Sequence, residues 1–427
     1  MSKVDDYRVH RLTEDIYADI ERVGSIGWVE MPDGLRAVMV TDHAAIKQIG
    51  VHPDISRDGA RHWAGLRSGV VPMDSITLPW VTSAGPFSAY GDEHKRLRKL
   101  MMPGFTKRRI DTLAPSIEET VTGVLNGLEG ERAAHVPRRA ARRPLRGWRR
   151  NWNTEPPAYE VDLRERFCFP VPIAAVSALL GVDDDLFPAI RAGADALFDT
   201  SLSREELTPL FMGLLGAIDE LIERKRATPD ESLTSSLIAA SQDGDTYTPE
   251  ELAEVVRIMI VGGYETTVNL LDQAVFLLFT HREYLAMTLA GHITWDDVLD
   301  EVLRHSSPAA AVPMRFAVKD VTIAGFPIPA GTPILVSFAG AGRDPNVYAK
   351  PDVFDPTRAT TSHLGFGTGR HRCPGAPLAM LEARIALPML FARFRLELVE
   401  DPAKIEPSPG IITNGHERLL VRLHPKN

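Results

Sequence analysis

The chain has 427 residues, 44% of them hydrophobic, and a formal net charge of −9. That length and apolar share suit a globular protein with a large buried core, and the acidic balance argues against a general nucleic-acid binder. No apolar run is long enough to span a membrane, and Lys3, Asp5, Asp6 and Arg8 put charge where a signal peptide needs an apolar stretch, so a soluble, cytoplasmic chain without a membrane partner is expected.

Leu35–Val40 is the first strand candidate. The apolar and aromatic residues Trp63, Val71, Ile76, Trp80, Val81 and Phe87 follow, and are candidates for lining a pocket. In the charged run Glu93-His94-Lys95-Arg96-Leu97-Arg98, His94 and Arg98 lie four apart and share a helix face, which alone reads as a solvated basic face. Eight arginines fall between Arg132 and Arg150 among prolines and alanines, with few residues that build a core. Residues 131–157 therefore read as an irregular or disordered loop or insertion. Cys168, in Phe167-Cys168-Phe169-Pro170, has the apolar setting of an inert core thiol. The two cysteines allow at most one disulfide, which gives no support to a secreted scaffold. Leu179–Ile190 and Leu207–Ile222 carry helical periodicity.

Val255–Leu271 reads as a long apolar helix interrupted by Gly262-Gly263-Tyr264-Glu265-Thr266-Thr267. Each glycine in a helix interior costs roughly 1 kcal/mol, a local violation expected where function overrides stability. Gly262 and Thr266 share a face, presenting a small gap beside a hydroxyl, while Tyr264 is turned away from it. Thr266 is also placed to bond back to the Gly262 carbonyl. Glu301 and Arg304 sit three apart on a helix that Thr294 caps and Pro308 ends. Strand signals then cluster at Met314–Val318, Val321–Ile323 and Ile334–Val336, separated by Gly325-Phe326-Pro327 and Pro329-Ala330-Gly331 as turns. The fold expected is mainly α with a small β-sheet region, in one domain over residues 1–427.

The most informative stretch is Phe366-Gly367-Thr368-Gly369-Arg370-His371-Arg372-Cys373-Pro374-Gly375. Glycines permit tight bends and close backbone approach, and Pro374 suits a first helical turn. Leu378, Leu381 and Ile385 continue at helical spacing. A sulfur at the start of that helix meets unpaired amides and the positive end of the helix dipole, with Arg370, His371 and Arg372 beside it, which favours a thiolate. A glycine-rich phosphate loop fits less well, because no predicted strand feeds it and no third glycine falls where a dinucleotide fingerprint needs one.

This run resembles the Phe-x-x-Gly-x-x-x-Cys-x-Gly signature of the cytochrome P-450 family, with Thr368 and Pro374 as permitted variants. The resemblance extends from the Leu35 region to Ile411–Leu423, the arginine-rich segment excepted. It implies the family's α-helical prism around a haem b (iron protoporphyrin IX), with Cys373 as the iron ligand and Phe366, Gly367 and Gly375 shaping its loop. It implies that Gly262 opens an oxygen-binding groove and that Glu265 and Thr266 form an acid–alcohol proton relay. His94, Arg98, Arg315 and His371 match the family's partners for the two propionates. Glu301, Arg304 and Arg358 match its structural Glu-x-x-Arg brace.

The activity so implied is insertion of one atom of O2 into a C–H bond, with haem and protein sharing the work. Further pocket candidates are Ile258, Ala309–Val312 and Ile411–Thr413, and their apolar character points to a steroid, terpenoid or polyketide. Like the soluble bacterial members it resembles, the chain is expected to take electrons from a ferredoxin and its reductase. Lys95, Lys99, Arg108, Arg109, Arg370 and Arg372 offer a basic docking face. Two alternatives use related chemistry. A haem-thiolate sensor has no need of Glu265 and Thr266, and a peroxide-driven hydroxylase wants a different residue pair there.

Overall fold

The computed structural model describes residues 9–13, 15–31, 34–72, 75, 78–135, 159–199, 202–240, 244–359 and 362–426. Its centre is one long helix, Pro249–Thr280, started by a capping box between Thr248 and Glu251 and by Pro249 in the first turn. This central helix is apolar on nearly every side and therefore buried. It packs against helices Pro170–Leu180, Arg204–Ala227, Trp295–His305 and the C-terminal helix Ala376–Arg393.

The strands are β1 (Val9–Arg11), β2 (Ile26–Glu30), β3 (Arg36–Val40), β4 (Ile55–Ser56), β5 (Tyr159–Asp162), β6 (Ala311–Ala317), β7 (Val321–Ile323), β8 (Phe326–Ile328), β9 (Pro333–Ser337), β10 (Phe394–Leu398) and β11 (Leu420–Pro425). The main sheet has the order β1-β2-β3-β9-β6-β4, with β10-β11-β5 and β7-β8 forming two smaller ones. Between Val312 and Arg315 the register of β6 against β9 shifts. Such an irregularity re-aims the side chains around it.

The expected mainly helical architecture with a small sheet region is what the chain adopts, with four local differences. Leu179–Ile190 is not one helix: Gly181, at φ 70° and ψ 39°, ends the first, and a second starts at Phe187. A left-handed glycine closes a helix whatever the periodicity of its neighbours. In the hairpin, Ala324 and Gly325 make the turn, and Phe326 already pairs with Ile323. The sequence reading also missed β1, β2, β4, β5, β10 and β11. In the arginine-rich segment the helix Ala114–His135 takes up the first residues, and 136–157 lie outside the described residues.

A buried ionic brace ties the helix Trp295–His305 to the chain that leads toward Cys373. Glu301 Oε1 accepts from Arg304 Nη2 at 2.7 Å, Arg358 Nε at 3.0 Å and the Asp355 amide at 2.7 Å. Arg304 donates further to the carbonyls of Gly342 (2.8 Å), Pro351 (2.6 Å) and Val353 (2.9 Å). Gly342 is required beside it, because a Cβ there would lie 1.8 Å from the Arg304 carbonyl oxygen. Removing one partner of a fully buried pair strands the other's charge and costs about 3–5 kcal/mol. Glu301→Ala is therefore expected to lower unfolding free energy by about that amount in urea titrations. A loss confined to a few tenths would show the brace to be no more than a surface pair.

Candidate active site

The Cys373 loop is shaped by backbone constraints. Gly367 and Gly369 have φ of +71° and +68°, and a Cβ on Gly369 would lie 2.1 Å from the Gly50 carbonyl oxygen. The Cys373 amide donates to the Phe366 carbonyl at 2.9 Å, closing the loop on itself. The following helix begins at Ala376, not at Pro374, and the proline in its first turn is Pro377. The amides of Gly375 and Ala376 bond the sulfur, and Arg98 and Arg372 add positive charge. Burial nevertheless outweighs them and pushes the Cys373 thiol above its ordinary value. The amides and arginines that the sequence reading placed beside the sulfur favour its thiolate, and burial opposes them. A bound cation reverses that balance, since metal coordination deprotonates a thiol outright.

Across the cavity stands the middle of the central helix. Thr266 Oγ1 donates to the Gly262 carbonyl at 2.7 Å, and nothing lies within 4 Å of where a Gly262 Cβ would be. Gly262, Gly263, Thr266 and Thr267 all line the cavity. Glu265 is turned elsewhere. Its Oε1 accepts from Arg164 Nη2 at 2.8 Å and from Asn269 Nδ2 at 3.2 Å. Burial raises its carboxyl to about 7, against the downward pull of Arg164. Tyr264, on another face, donates to Asp195 and takes no part in the groove.

A cluster of cationic and imidazole groups closes the rim. The rings of His94 and His371 are 4.0 Å apart, and Arg98 Nη2 donates to the Arg372 carbonyl at 2.7 Å. Arg57, Arg98, Arg315 and His371 line the cavity. His94 Nε2 and Arg315 Nη1 are buried with no hydrogen-bond partner among the described residues. Burial and neighbouring arginines hold His94 near 4, and burial alone brings Arg315 down to about 10. Unpartnered buried donors are costly and call for an acceptor. A group with two carboxylates at this rim would satisfy them, and one with a central metal would satisfy the sulfur. The residues present thus fit a haem.

The cavity encloses about 1640 Å3 of atom-free space, part of it open to solvent. Of the sequence candidates, Trp80, Phe87, Ile258, Ala309, Val312 and Ile412 line it. Trp63, Val71 and Val81 are instead core residues, and Ile76 lies outside the described residues. Phe198, on the helix Phe187–Phe198, was missed, and its ring sits 5.1 Å from that of Trp80. Arg57 was missed too, stacked 3.6 Å above the Phe87 ring. Glu382, fully buried on the C-terminal helix, lines the cavity with neither carboxyl oxygen bonded among the described residues. Burial alone pushes it well above the carboxylate range. Only Glu382's place in an apolar helical repeat could have flagged it.

The family model described as Cytochrome P450 matches residues 294–421. A curated relative, 2-hydroxy-5-methyl-1-naphthoate 7-hydroxylase of Streptomyces carzinostaticus, is 32% identical over 98% of this chain and 97% of its own length. The vitamin D(3) 25-hydroxylase of Pseudonocardia autotrophica is likewise 32% identical, over 96% of this chain and 94% of that protein. Among solved structures, CYP154A1 from Streptomyces coelicolor A3(2) superposes with a TM-score of 0.84 at 38% identity, covering 97% of this chain and all of that one.

The close approach of Gly369 to Gly50 yields a direct test. Gly369→Ala places a side chain in a left-handed conformation, which alone costs roughly 1–2 kcal/mol, and drives a methyl into a backbone carbonyl. Its urea midpoint should fall clearly. Gly123→Ala, in a helix with nothing within 4 Å of the added carbon, should leave the midpoint unchanged or raised. Equal midpoints for the two variants would remove the constraint claimed for the loop.

Proposed function

The chain belongs to the cytochrome P450 family, and we propose that as a monooxygenase of that family it oxidises a C–H bond of a medium-to-large hydrophobic molecule. The observation that carries this reading is a cysteine sulfur facing a glycine-opened helix groove across an apolar cavity whose rim gathers Arg98, Arg315 and His371, with Arg315 Nη1 and the adjacent His94 Nε2 buried and without a hydrogen-bond partner among the described residues.

Haem b is the cofactor proposed, and when bound it supplies reductive activation of O2 and transfer of one oxygen atom to carbon. Cys373 would hold its iron, with the Gly375 and Ala376 amides spreading the charge on sulfur. His94, Arg98, Arg315 and His371 would hold the two propionates, giving the orphaned donors their acceptors. Phe366, Gly367 and Gly375 would shape the loop for close approach, Gly367 through its left-handed backbone. Because the Thr266 hydroxyl spends its hydrogen on the Gly262 carbonyl, its lone pairs face the cavity and can hold a water. Glu265, raised to about 7 by burial, can give up a proton near neutral pH. We assign it as the source that recharges the Thr266 side of the groove through water.

The walls favour a flat or polycyclic apolar substrate. Trp80, Phe87 and Phe198 form an aromatic group, with Val176, Leu179 and Ile258 as its aliphatic neighbours. The relatives named above act on vitamin D(3) and a naphthoate, both largely hydrocarbon skeletons. A steroid, terpenoid or polyketide is the class proposed.

No helix among the described residues is long and apolar enough to cross a membrane. An acidic ferredoxin is proposed as electron donor, steered to Lys95, Lys99, Arg108, Arg109, Arg370 and Arg372. Lys95 is paired with Asp92 at 2.7 Å, which weakens its share of the field. Arg109 is tied to Ser236 and Glu231, so it is better placed to fix the surface than to meet a partner.

Cys373→Ala should abolish the carbon monoxide difference spectrum of sulfur-ligated haem, and its persistence would end this reading. Thr266→Ala should divert most oxygen consumption from product to peroxide or water, measured as product formed per electron pair consumed; unchanged coupling would remove Thr266 from the relay. Reduction by an acidic ferredoxin should slow as salt is raised from about 0.01 to 1 M, over which the screening length falls from roughly 30 to 3 Å. A salt-independent rate would place the donor elsewhere.

A further inference from the structure

Behind the groove lies a buried polar cluster that the proposed reaction does not by itself require. Glu265, Asn269 and Asp272 fall at successive turns on one face of the central helix, and all three are buried. Arg164, on the tight helical turn Arg164–Cys168 after β5, reaches into that face with its side chain only 7% exposed. Its Nη2 donates to Glu265 at 2.8 Å, its Nη1 donates to Asn269 Oδ1 at 2.7 Å, and Nη1 lies 3.9 Å from Asp272 Oδ2. One guanidinium thus stands between two carboxylates. Asp272 is fixed from its other side by His416, whose backbone amide donates to Oδ2 at 3.0 Å and whose Nδ1 lies 2.7 Å from the same oxygen. Gly415 permits this approach, since a Cβ there would come 2.1 Å from Asn269 Oδ1.

We propose that Asp272, fixed by His416, is a positioning residue for Glu265: it is the second counter-charge of Arg164, so that Glu265 can bind or release a proton without stranding the guanidinium. The proposal rests on the reading of Glu265 as a proton source. With Glu265 protonated, Arg164 and Asp272 form a neutral buried pair. With Glu265 ionised, the two carboxylates compete for one cation. Both forms are therefore accessible, and neither leaves a buried charge alone. Were Asp272 absent, Glu265 would be the sole counter-ion of Arg164 and would be held ionised. Burial opposes the charge on Arg164, and Asp272 and Glu265 both act to keep it cationic.

The other charged or titratable groups facing this cluster come from every element around it. Asp195 and Arg191 approach from the helix Phe187–Phe198, Cys168 from the Arg164 turn, Asp162 from β5, and Tyr264 from the central helix itself. Asp195 acts in the same direction as burial, pushing Glu265 up. All of them remain when Asp272 is changed, so a difference between Asp272→Asn and the parent reports on this carboxylate.

The test is infrared titration of the purified resting holoenzyme. The carboxylic-acid band that Glu265→Gln removes is assigned to Glu265 and followed against pH. In the parent its midpoint is expected near 7. In Asp272→Asn it should fall by about one unit or more, a tenfold or larger loss of proton affinity. His416→Phe, which keeps both carboxylates and removes the imidazole, should shift it the same way by less, and carries the test if Asp272→Asn does not fold. An unmoved midpoint in a folded variant overturns the proposal. The relay reading fails separately: if Glu265→Gln leaves oxygen coupling intact, Glu265 is not the proton source, whatever the infrared midpoints show.

Discussion

Burial of the Cys373 sulfur is the constraint around which the rest of the molecule is arranged. Cys373 is partly buried at the cavity wall, and the two amides and two arginines beside its sulfur do not fully offset the desolvation of a thiolate. The rim of the same cavity carries the opposite imbalance. Arg315 and His94 each have a buried nitrogen without an acceptor among the described residues. An anionic group with a metal at its centre resolves both imbalances together. That complementarity, more than any single contact, makes a haem the occupant these residues suit.

The scaffold keeps its own charges separate from that site. Glu301, Arg304 and Arg358 satisfy one another and a set of backbone carbonyls, and all five guanidinium N–H groups of Arg304 are used. The brace fixes Gly342 and Val353 from one helix, which positions the segment leading to the cysteine loop. Gly369 then seats that loop against Gly50 through backbone shape, and Arg370 Nη2 donates to the Val51 carbonyl beside it at 3.0 Å. Stability and chemistry therefore draw on different groups: paired ions hold the frame, and beside the cavity lie nitrogens of Arg315 and His94 that have no partner among the described residues.

Much of this was legible in the sequence where a local rule is broken. Two glycines inside an apolar helix, and a cysteine between glycine-rich and helical segments, cost stability locally and so advertised themselves. The brace was legible through the resemblance to the family's Glu-x-x-Arg motif with its later arginine, Arg358; the three-residue spacing alone reads as a surface pair. What stayed hidden depends on partners far apart in the chain. Arg57 precedes Asp58, which caps a short helix, and only folding brings its guanidinium over the Phe87 ring. Glu382 sat unmarked in an apolar repeat. The helical reading of Leu179–Ile190 failed because periodicity ran on through Gly181, where the backbone turns left-handed. The short strands were missed for a similar reason: β5 and β10 alternate over only four and five residues, and their partner β11 lies at the end of the chain.

The orientation of Glu265 shows what such spacing arguments leave out. Adjacent residues on a helix point about 100° apart, so an acid next to a threonine cannot share the threonine's face. Sequence pairs Glu265 with Thr266, whereas the fold pairs it with Arg164 and leaves the hydroxyl alone at the cavity. An acid so held is useful only if its proton affinity lies near the working pH and its counter-ion has somewhere else to turn. Burial supplies the first condition. The second needs a further carboxylate on the same helix face, seven residues on, and Asp272 occupies that position. The proton chemistry of the groove is thus set on the side of the helix that the cavity never sees.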